Sequence, residues 1–262
     1  MDFFGIHCFK RIAPKHNLFS FISATRTIYI GKRKIHEHQK QIVAQRAVDC
    51  IESGMVVGLG TGSTVHFALI EIGDRLADGR LKNIIGIPTS NDTMRQANEL
   101  SIPLTTFDDH PEIDLTIDGA DEIDPQLNVI KGGGGALLRE KIVAQASDAN
   151  IIIADESKFS DMLGTVWPVP VEILPSAKKP VTNAVEKLDG RAAIRKKSDG
   201  SVFVTDQNNW ILDCHFRKIT HPHELARQLE QIAGILEHGL FLDLATKILI
   251  AEKERIRTLD RT

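Results

Sequence analysis

The sequence predicts an α/β protein: a Rossmann-like parallel sheet with helices on both faces, followed by a smaller α+β ferredoxin-like unit. Three observations carry this. From about residue 37 to 165, short apolar runs alternate with segments of helical period, and strand–helix–strand alternation makes a parallel sheet covered by helices on both sides. The strands are continuous apolar runs such as Ile151-Ile-Ile-Ala, as strands buried on both faces should be. After about Gly164 the texture changes, with Pro168, Pro170 and Pro175 interrupting the chain and the elements shortening.

Ile42, Val43, Ala47, Val48 and Ile51 recur at helical spacing, and Gly54 is positioned to end that helix as a C-terminal cap. Met55 to Gly60 reads as a strand running into glycines. A helix follows over Val65 to Leu76, then a strand at Ile84 to Pro88, then a helix from Asn91 to Leu100 capped by Ser90 or Asn91. Asp114 to Ile117 is a strand, Ala136 to Ala146 a helix and Ile151 to Ala154 a strand. Further on, Ser176 to Leu188 is helical, and Ala192 to Ile194, Val202 to Thr205 and Trp210 to Asp213 are short strands. Glu224 to Ile232 is helical and Ile235-Leu lies near a last strand, so this part reads as a split βαβ unit. Lys247 to Ala251 returns to the first sheet. The expected division is 37–165 with 241–255 for the Rossmann-like domain and 166–240 for the smaller one.

Composition narrows the function classes. Of 262 residues, 42% are hydrophobic and 26% charged, which leaves material for a core and excludes a collagen, a coiled coil and a mostly disordered chain. A net charge of −3 argues against nucleic acid as the main partner. No run of ~18 apolar residues occurs, so no membrane span is expected. Three scattered cysteines without a CxxC pair exclude a disulfide scaffold and give no zinc motif. A reducing, cytoplasmic location is the expectation, with organelle targeting left open. His36, His38, His221 and His223 form close pairs, read as surface histidines rather than metal ligands.

Residues 1–36 differ from the rest. Seven lysines and arginines face the single acid Asp2, giving this segment +6 and the remainder −9. It also holds five of the eleven phenylalanines and shows neither helical nor strand period. A transit peptide, a cytoplasmic tail and a start assigned too far upstream all fit; a poorly ordered tail or a misplaced start is favoured, and no fold is read from it.

Four clusters sit where strands end. Gly58-Leu-Gly-Thr-Gly-Ser-Thr64 joins the first strand to its helix, and Thr61, Gly62, Ser63 and Thr64 offer hydroxyls and free N–H groups to a phosphate or carboxylate. It is neither a Walker loop nor the dinucleotide fingerprint. Asp118-Gly-Ala-Asp-Glu-Ile-Asp124 brings four acids to the carboxyl end of a parallel strand, where such folds bind ligands. These carboxylates suit sugar hydroxyls, proton relay or Mg²⁺, and equally an acidic surface loop. Lys131-Gly-Gly-Gly-Gly-Ala runs into a helix, and four glycines in succession are entropically unfavourable in a folded chain unless bare backbone is needed. Behind it, helical period puts Leu138, Ile142 and Ala146 on the buried stripe and Glu140 on the solvated face. Asp155-Glu-Ser-Lys158 ends another strand, with Lys158 either in the same crevice or capping a turn.

In this order and spacing, the four motifs resemble those of the type A ribose-5-phosphate isomerases. The likeness runs from about Gln39 to Ala251 and includes Pro170-Val-Glu, Val204-Thr-Asp and Ile211-Leu-Asp. The resemblance implies interconversion of ribose 5-phosphate and ribulose 5-phosphate, in the non-oxidative branch of the pentose phosphate pathway, with neither cofactor nor metal. It implies Glu140 as general base, against the periodicity reading, and Lys131 where charge develops on oxygen. Asp118 and Asp121 would bind sugar hydroxyls and help open the furanose ring. The substrate site would comprise Thr61, Gly62, Ser63, Thr64, Asp118, Gly119, Ala120, Asp121, Lys131, Gly132, Gly133 and Gly134, with Lys158 and Lys40 near the phosphate. It also implies a homodimer or homotetramer.

Other classes fit less well. A SAM-dependent methyltransferase would carry acids at the ends of its first two strands, where Gly58 and Gly86-Ile-Pro-Thr-Ser stand. A coenzyme A transferase would show acyl exchange. A non-catalytic sugar-phosphate sensor on the same fold would ordinarily carry a helix-turn-helix, for which the basic tail is too short and aperiodic.

Overall fold

A sheet of six strands organises the chain, with five of them parallel. The structure is a computed structural model and describes residues 37–253 and 255–261; the basic tail expected over 1–36 lies outside the described residues. The elements bearing on the site begin with α1 (37–48), β1 (Val56–Leu59), α2 (Val65–Ala77), β2 (Ile85–Pro88), α3 (Asn91–Glu99) and β3 (Ile113–Gly119). After these come β4 (Glu122–Ile123), β5 (Val129–Ile130), α4 (Leu137–Gln145) and β6 (Ser147–Asp155). The second half holds β7 (Val169–Ile173), α5 (Lys178–Lys187), β8 (Arg191–Ile194), β9 (Trp210–His215), α6 (Pro222–Glu230) and β10 (Ile235–His238), and ends with β11 (Leu240–Phe241), β12 (Lys247–Glu252) and β13 (Arg255–Asp260).

The main sheet runs β13-β12-β6-β3-β1-β2. Its centre is apolar on both faces: Val57, Leu59, Leu115, Ile117, Ile151, Ile153 and Leu249 are buried on one side with Val65, Ala68, Leu69 and Ile72 of α2, and Ile152, Ala154, Ile248 and Ile250 on the other with Leu137 and Ala144 of α4. Those α2 residues fall at the 3–4 residue spacing of one helical face. Ser90 starts α3 as an N-cap, its hydroxyl accepting from the Thr93 N–H at 3.0 Å. Parallel register sets Leu59 beside Ile117 and Asp155 beside Ala251, so the turns after β1, β3 and β6 emerge on one edge.

The smaller sheet runs β10-β7-β9-β8 and is wholly antiparallel. With α5 and α6 interleaved, this is the order of a ferredoxin-like unit. A third sheet, β11-β5-β4, carries the segment leading into Lys131. The expected fold class is the one observed. Among the described residues no helix is long and apolar enough to cross a membrane.

Three elements differ from expectation. Gly54 does not cap α1: the helix ends at residue 48, and Gly54, at φ +94°, donates to Lys82 O in the turn before β1. Val202 to Thr205 is not a strand and makes only isolated pairings, Lys196 with Val202 and Val204 with Trp210. Thr205 turns inward and donates to the buried Glu172 carboxylate at 2.8 Å, while Val204 is exposed. The sequence reading also missed β13, an edge strand antiparallel to β12 whose arginines stay in solvent, as charge on a sheet edge discourages further pairing.

Candidate active site

At the carboxyl edge of β1, β3 and β6 lies a cleft of about 260 Å³. Its lining includes Lys40, Thr61, Gly62, Ser63, Thr64, Gly119, Ala120, Asp121, Lys131, Gly132, Gly133, Gly134, Glu140 and Lys158, which the sequence had singled out, and Asp155 and Ser157, which it had not given a role. Asp118 alone of the singled-out residues does not line it.

The chemistry is concentrated on a buried triad. Lys131 is 3% exposed, Asp118 3% and Glu140 4%. The three protons of the Lys131 ammonium are all engaged: by Gly119 O at 2.7 Å, by Asp118 Oδ2 at 2.9 Å and by Glu140 Oε1 at 3.1 Å. Burial would depress the Lys131 ammonium, but the Asp118 and Glu140 carboxylates more than offset this and hold it above the ordinary lysine range. For Glu140, burial is the largest influence and pushes its carboxyl up to about 8; Lys131 pulls the other way, and Asp118 and Asp121 add to the rise. Glu140 Oε2 is buried without a hydrogen-bond partner.

Glu140 therefore does not lie on a solvated face. The buried residues of α4 are Leu137, Glu140, Lys141, Val143 and Ala144, while Ile142 is 44% exposed. The helical period was right and its phase wrong, because two charged residues occupy the inward stripe. Glu140 faces the cleft, and Lys141 donates to Glu237 Oε1 at 2.6 Å and to His238 O at 2.7 Å on the β10–β11 side. The Phe241 ring lies 5.5 Å from the Lys131 ammonium and 4.9 Å from that of Lys141.

The acidic motif divides. Asp118 Oδ1 accepts from Thr61 N at 3.1 Å and Gly119 N at 2.7 Å, so both its oxygens serve protein partners. Asp121 is half-buried in the cleft and accepts from Gly133 N at 2.6 Å. Glu122, fully buried, instead gathers the 160–167 loop, accepting from Ser160 Oγ at 2.7 Å and Trp167 N at 2.9 Å. Asp124 closes its own turn through Gln126 N and Asn128 N, each at 2.9 Å. The sequence motif thus combines two site carboxylates with two structural ones.

Around this centre the hydroxyl loop is arranged in layers. Thr61 Oγ1 belongs to a cluster with Thr89 at 2.7 Å and Ser90 at 2.9 Å. Ser63 Oγ accepts from Lys40 Nζ at 2.7 Å, which ties α1 to the start of α2. Thr64 precedes α2 without a side-chain cap bond, leaving that helix terminus to the cleft. Lys158 reaches in from the turn after β6, its ammonium 5.1 Å from the Trp167 ring. Glycine is needed for close approach at two points: a Cβ on Gly60 would collide with Asp118, and one on Gly133 would lie 2.5 Å from Asp121 Oδ1. Of the described histidine pairs, His38, His221 and His223 are exposed. Among the described residues no three metal-ligating side chains converge.

The family model for ribose 5-phosphate isomerase A (phosphoriboisomerase A) matches residues 85–255. Ribose-5-phosphate isomerase A of Desulfatibacillum aliphaticivorans is 49% identical over 220 residues, covering 84% of this chain and 96% of that protein. Ribose 5-phosphate isomerase from Plasmodium falciparum superimposes with a TM-score of 0.83 at 42% identity, over 86% of this chain and 99% of that one. A D-ribose-5-phosphate isomerase in complex with phospho-erythronic acid gives 0.84 at 37% identity, again over 86% and 99%. With this identity sustained across nearly the whole length of its relatives and on their fold, the chain belongs to the ribose 5-phosphate isomerase A family.

Proposed function

We propose that the cleft interconverts D-ribose 5-phosphate and D-ribulose 5-phosphate through an enediolate, with Glu140 as base. The chain is an aldose–ketose isomerase by its family; the roles of its residues are our reading. Moving the carbonyl from C1 to C2 requires a proton to leave C2 and one to reach C1. It also requires a proton to pass between O2 and O1 and a charge to be met in between. The isomerisation leaves the overall oxidation state of the substrate unchanged, so no electron carrier is required.

The observation that carries this reading is the buried Lys131–Glu140 pair at 3.1 Å. An ammonium with all three protons engaged can meet a substrate oxygen only by releasing an acceptor. Glu140 is the acceptor that must be freed, because its lone pair is wanted for the carbon-bound proton. Asp118 then stays with Lys131 and fixes it, and Asp121 faces the sugar hydroxyls and assists ring opening. Thr61 to Thr64, Lys40 and Lys158 hold the phosphate through hydroxyls, N–H groups and ammonium charge.

The proposal extends to the non-oxidative branch of the pentose phosphate pathway, a cytoplasmic location, a homodimer or homotetramer, and the domain division at 37–165 with 241–255 against 166–240. A coupled assay with ribose 5-phosphate in EDTA tests the core of it. Turnover unaffected by chelation is expected; no turnover, or equal use of unphosphorylated ribose, would overturn it. Size-exclusion chromatography with light scattering tests the assembly.

A further inference from the structure

The glycine run is held from behind by a residue no motif announced. Arg195 follows β8 in the smaller sheet. Its guanidinium grips Asp213 of β9 twice, Nε to Oδ2 at 3.1 Å and Nη2 to Oδ1 at 2.5 Å. The remaining terminal nitrogen, Nη1, donates to Gly132 O at 2.7 Å and to Gly133 O at 3.1 Å. The Arg195 side chain is 12% exposed, and its guanidinium carbon lies 5.9 Å from the centre of the Phe203 ring. That ring fills the space a Cβ on Gly135 would need.

A trans peptide is planar, and its C=O and N–H point in opposite directions. Two consecutive carbonyls fixed on Arg195 therefore turn the N–H groups of Gly133 and Gly134 the other way. Gly133 N confirms the direction by donating to the cleft carboxylate Asp121 at 2.6 Å. Gly134 lines the cleft, and its N–H has no acceptor among the described residues. Peptides between glycines flip readily, since no Cβ opposes the rotation. Without a clamp, the same loop would present carbonyl oxygens to the substrate in a fraction of molecules.

We propose that Arg195, oriented by Asp213, is a positioning residue that locks these peptide planes and so delivers the Gly134 N–H to the substrate oxygen that gains charge. This rests on the isomerase reading above. A donor aimed at developing charge acts mainly in the transition state, so its loss falls on kcat more than on KM.

The experiment uses the full chain and the variants Arg195→Met, Arg195→Lys and Asp213→Asn, with folding followed by circular dichroism. Wild-type turnover is measured first, because an inactive wild type sinks the isomerase reading itself. Arg195→Met is expected to lose about tenfold or more in kcat with KM within about threefold. Phospho-erythronic acid, whose carboxylate stands in for the charged enediolate oxygens, should inhibit this variant more weakly by a comparable factor, while inorganic phosphate inhibits as before. Arg195→Lys keeps a charge but lacks the fork that spans carboxylate and carbonyls, and it should recover only part of the loss. Asp213→Asn should fall in the same direction by less. A folded Arg195→Met with wild-type kcat overturns the clamp and leaves the isomerase reading intact. Should that variant not fold, wild-type kcat in both Arg195→Lys and Asp213→Asn overturns it equally.

Discussion

Lys131 donates to Glu140 through one carboxylate oxygen only, Oε1 at 3.1 Å, and leaves Oε2 buried without a partner. A desolvated oxygen with free lone pairs is what abstraction of a carbon-bound proton needs. Glu140→Gln keeps the volume and removes the base. General-base catalysis is worth ~10²–10⁴ in rate, or roughly 3–5 kcal/mol. We expect kcat to fall by about that range, with substrate binding retained. The coupled assay reads the first, and calorimetric titration with phospho-erythronic acid the second. Near-normal turnover would remove Glu140 from the mechanism.

Lys131→Met should lower kcat by about 10²–10³, the loss seen when a donor to developing negative charge is removed. It also strips Glu140 and Asp118 of their shared cation, so two buried carboxylates lose their compensation. A lowered melting temperature should accompany the loss of rate. A variant as stable as the wild type would show that the triad does not hold its charges as described.

Phosphate binding should separate from chemistry. Lys158 and Lys40 line the cleft from the turn after β6 and from α1, both outside α4. Lys158→Ala is expected to raise KM by about 10- to 100-fold, since a charged hydrogen bond is worth roughly 1.5–3 kcal/mol, with a smaller change in kcat. Lys40→Ala should do less, because its ammonium already has Ser63 as partner. A drop in kcat at constant KM for Lys158→Ala would assign it to the reacting end instead.

What the sequence made legible was local. Glycines and hydroxyls at strand ends, such as Thr61 to Thr64 and Lys131 to Gly134, reveal themselves because their conformational needs sit within a few residues. Glu140 misled for a physical reason: Leu137, Glu140, Lys141 and Ala144 form a regular inward stripe, but charge occupies two of its positions, and hydrophobic period took the flanking Leu138 and Ile142 for the core. The family resemblance, not the period, recovered it. Arg195 left no local trace, since its contacts with Gly132 and Gly133 span 63 and 62 residues. Nor could the acidic motif show that Glu122 serves the 160–167 loop, because that depends on a segment arriving from elsewhere in the chain.

Gly133 offers a steric test of Asp121. A Cβ there would sit 2.5 Å from Asp121 Oδ1 and 2.8 Å from its Cγ, so Gly133→Ala must push the carboxylate aside. Gly133 does not occupy the left-handed region, so the backbone itself tolerates alanine. A displacement near 1 Å in a positioning group can cost ~10²-fold, and kcat/KM should fall by at least about tenfold on that basis. Comparison with Asp121→Ala checks the cause. If the double variant is no worse than Asp121→Ala alone, the two act through the same carboxylate; additive losses would mean that Gly133 acts independently of Asp121.

The pH dependence follows from the same enclosure. Burial pushes Glu140 up to about 8, with Asp118 and Asp121 adding to the rise and Lys131 opposing it. A base is lost when protonated, so activity falls as pH drops through its pKa. A raised pKa moves that loss to higher pH than for an ordinary glutamate near about 4.3. The kcat/KM profile should therefore have an acid limb well above the carboxylate range. The substrate phosphate also titrates near about 6, but it does so identically for every variant, and the informative quantity is the shift between variants. Asp121→Asn removes one of the charges that raise Glu140 while keeping an acceptor for the Gly133 N–H. Its acid limb should move to lower pH, whatever its effect on KM. A wild-type limb at the ordinary carboxylate position, or an Asp121→Asn limb that stays put or moves upward, would mean that Glu140 is not the group whose protonation stops the reaction.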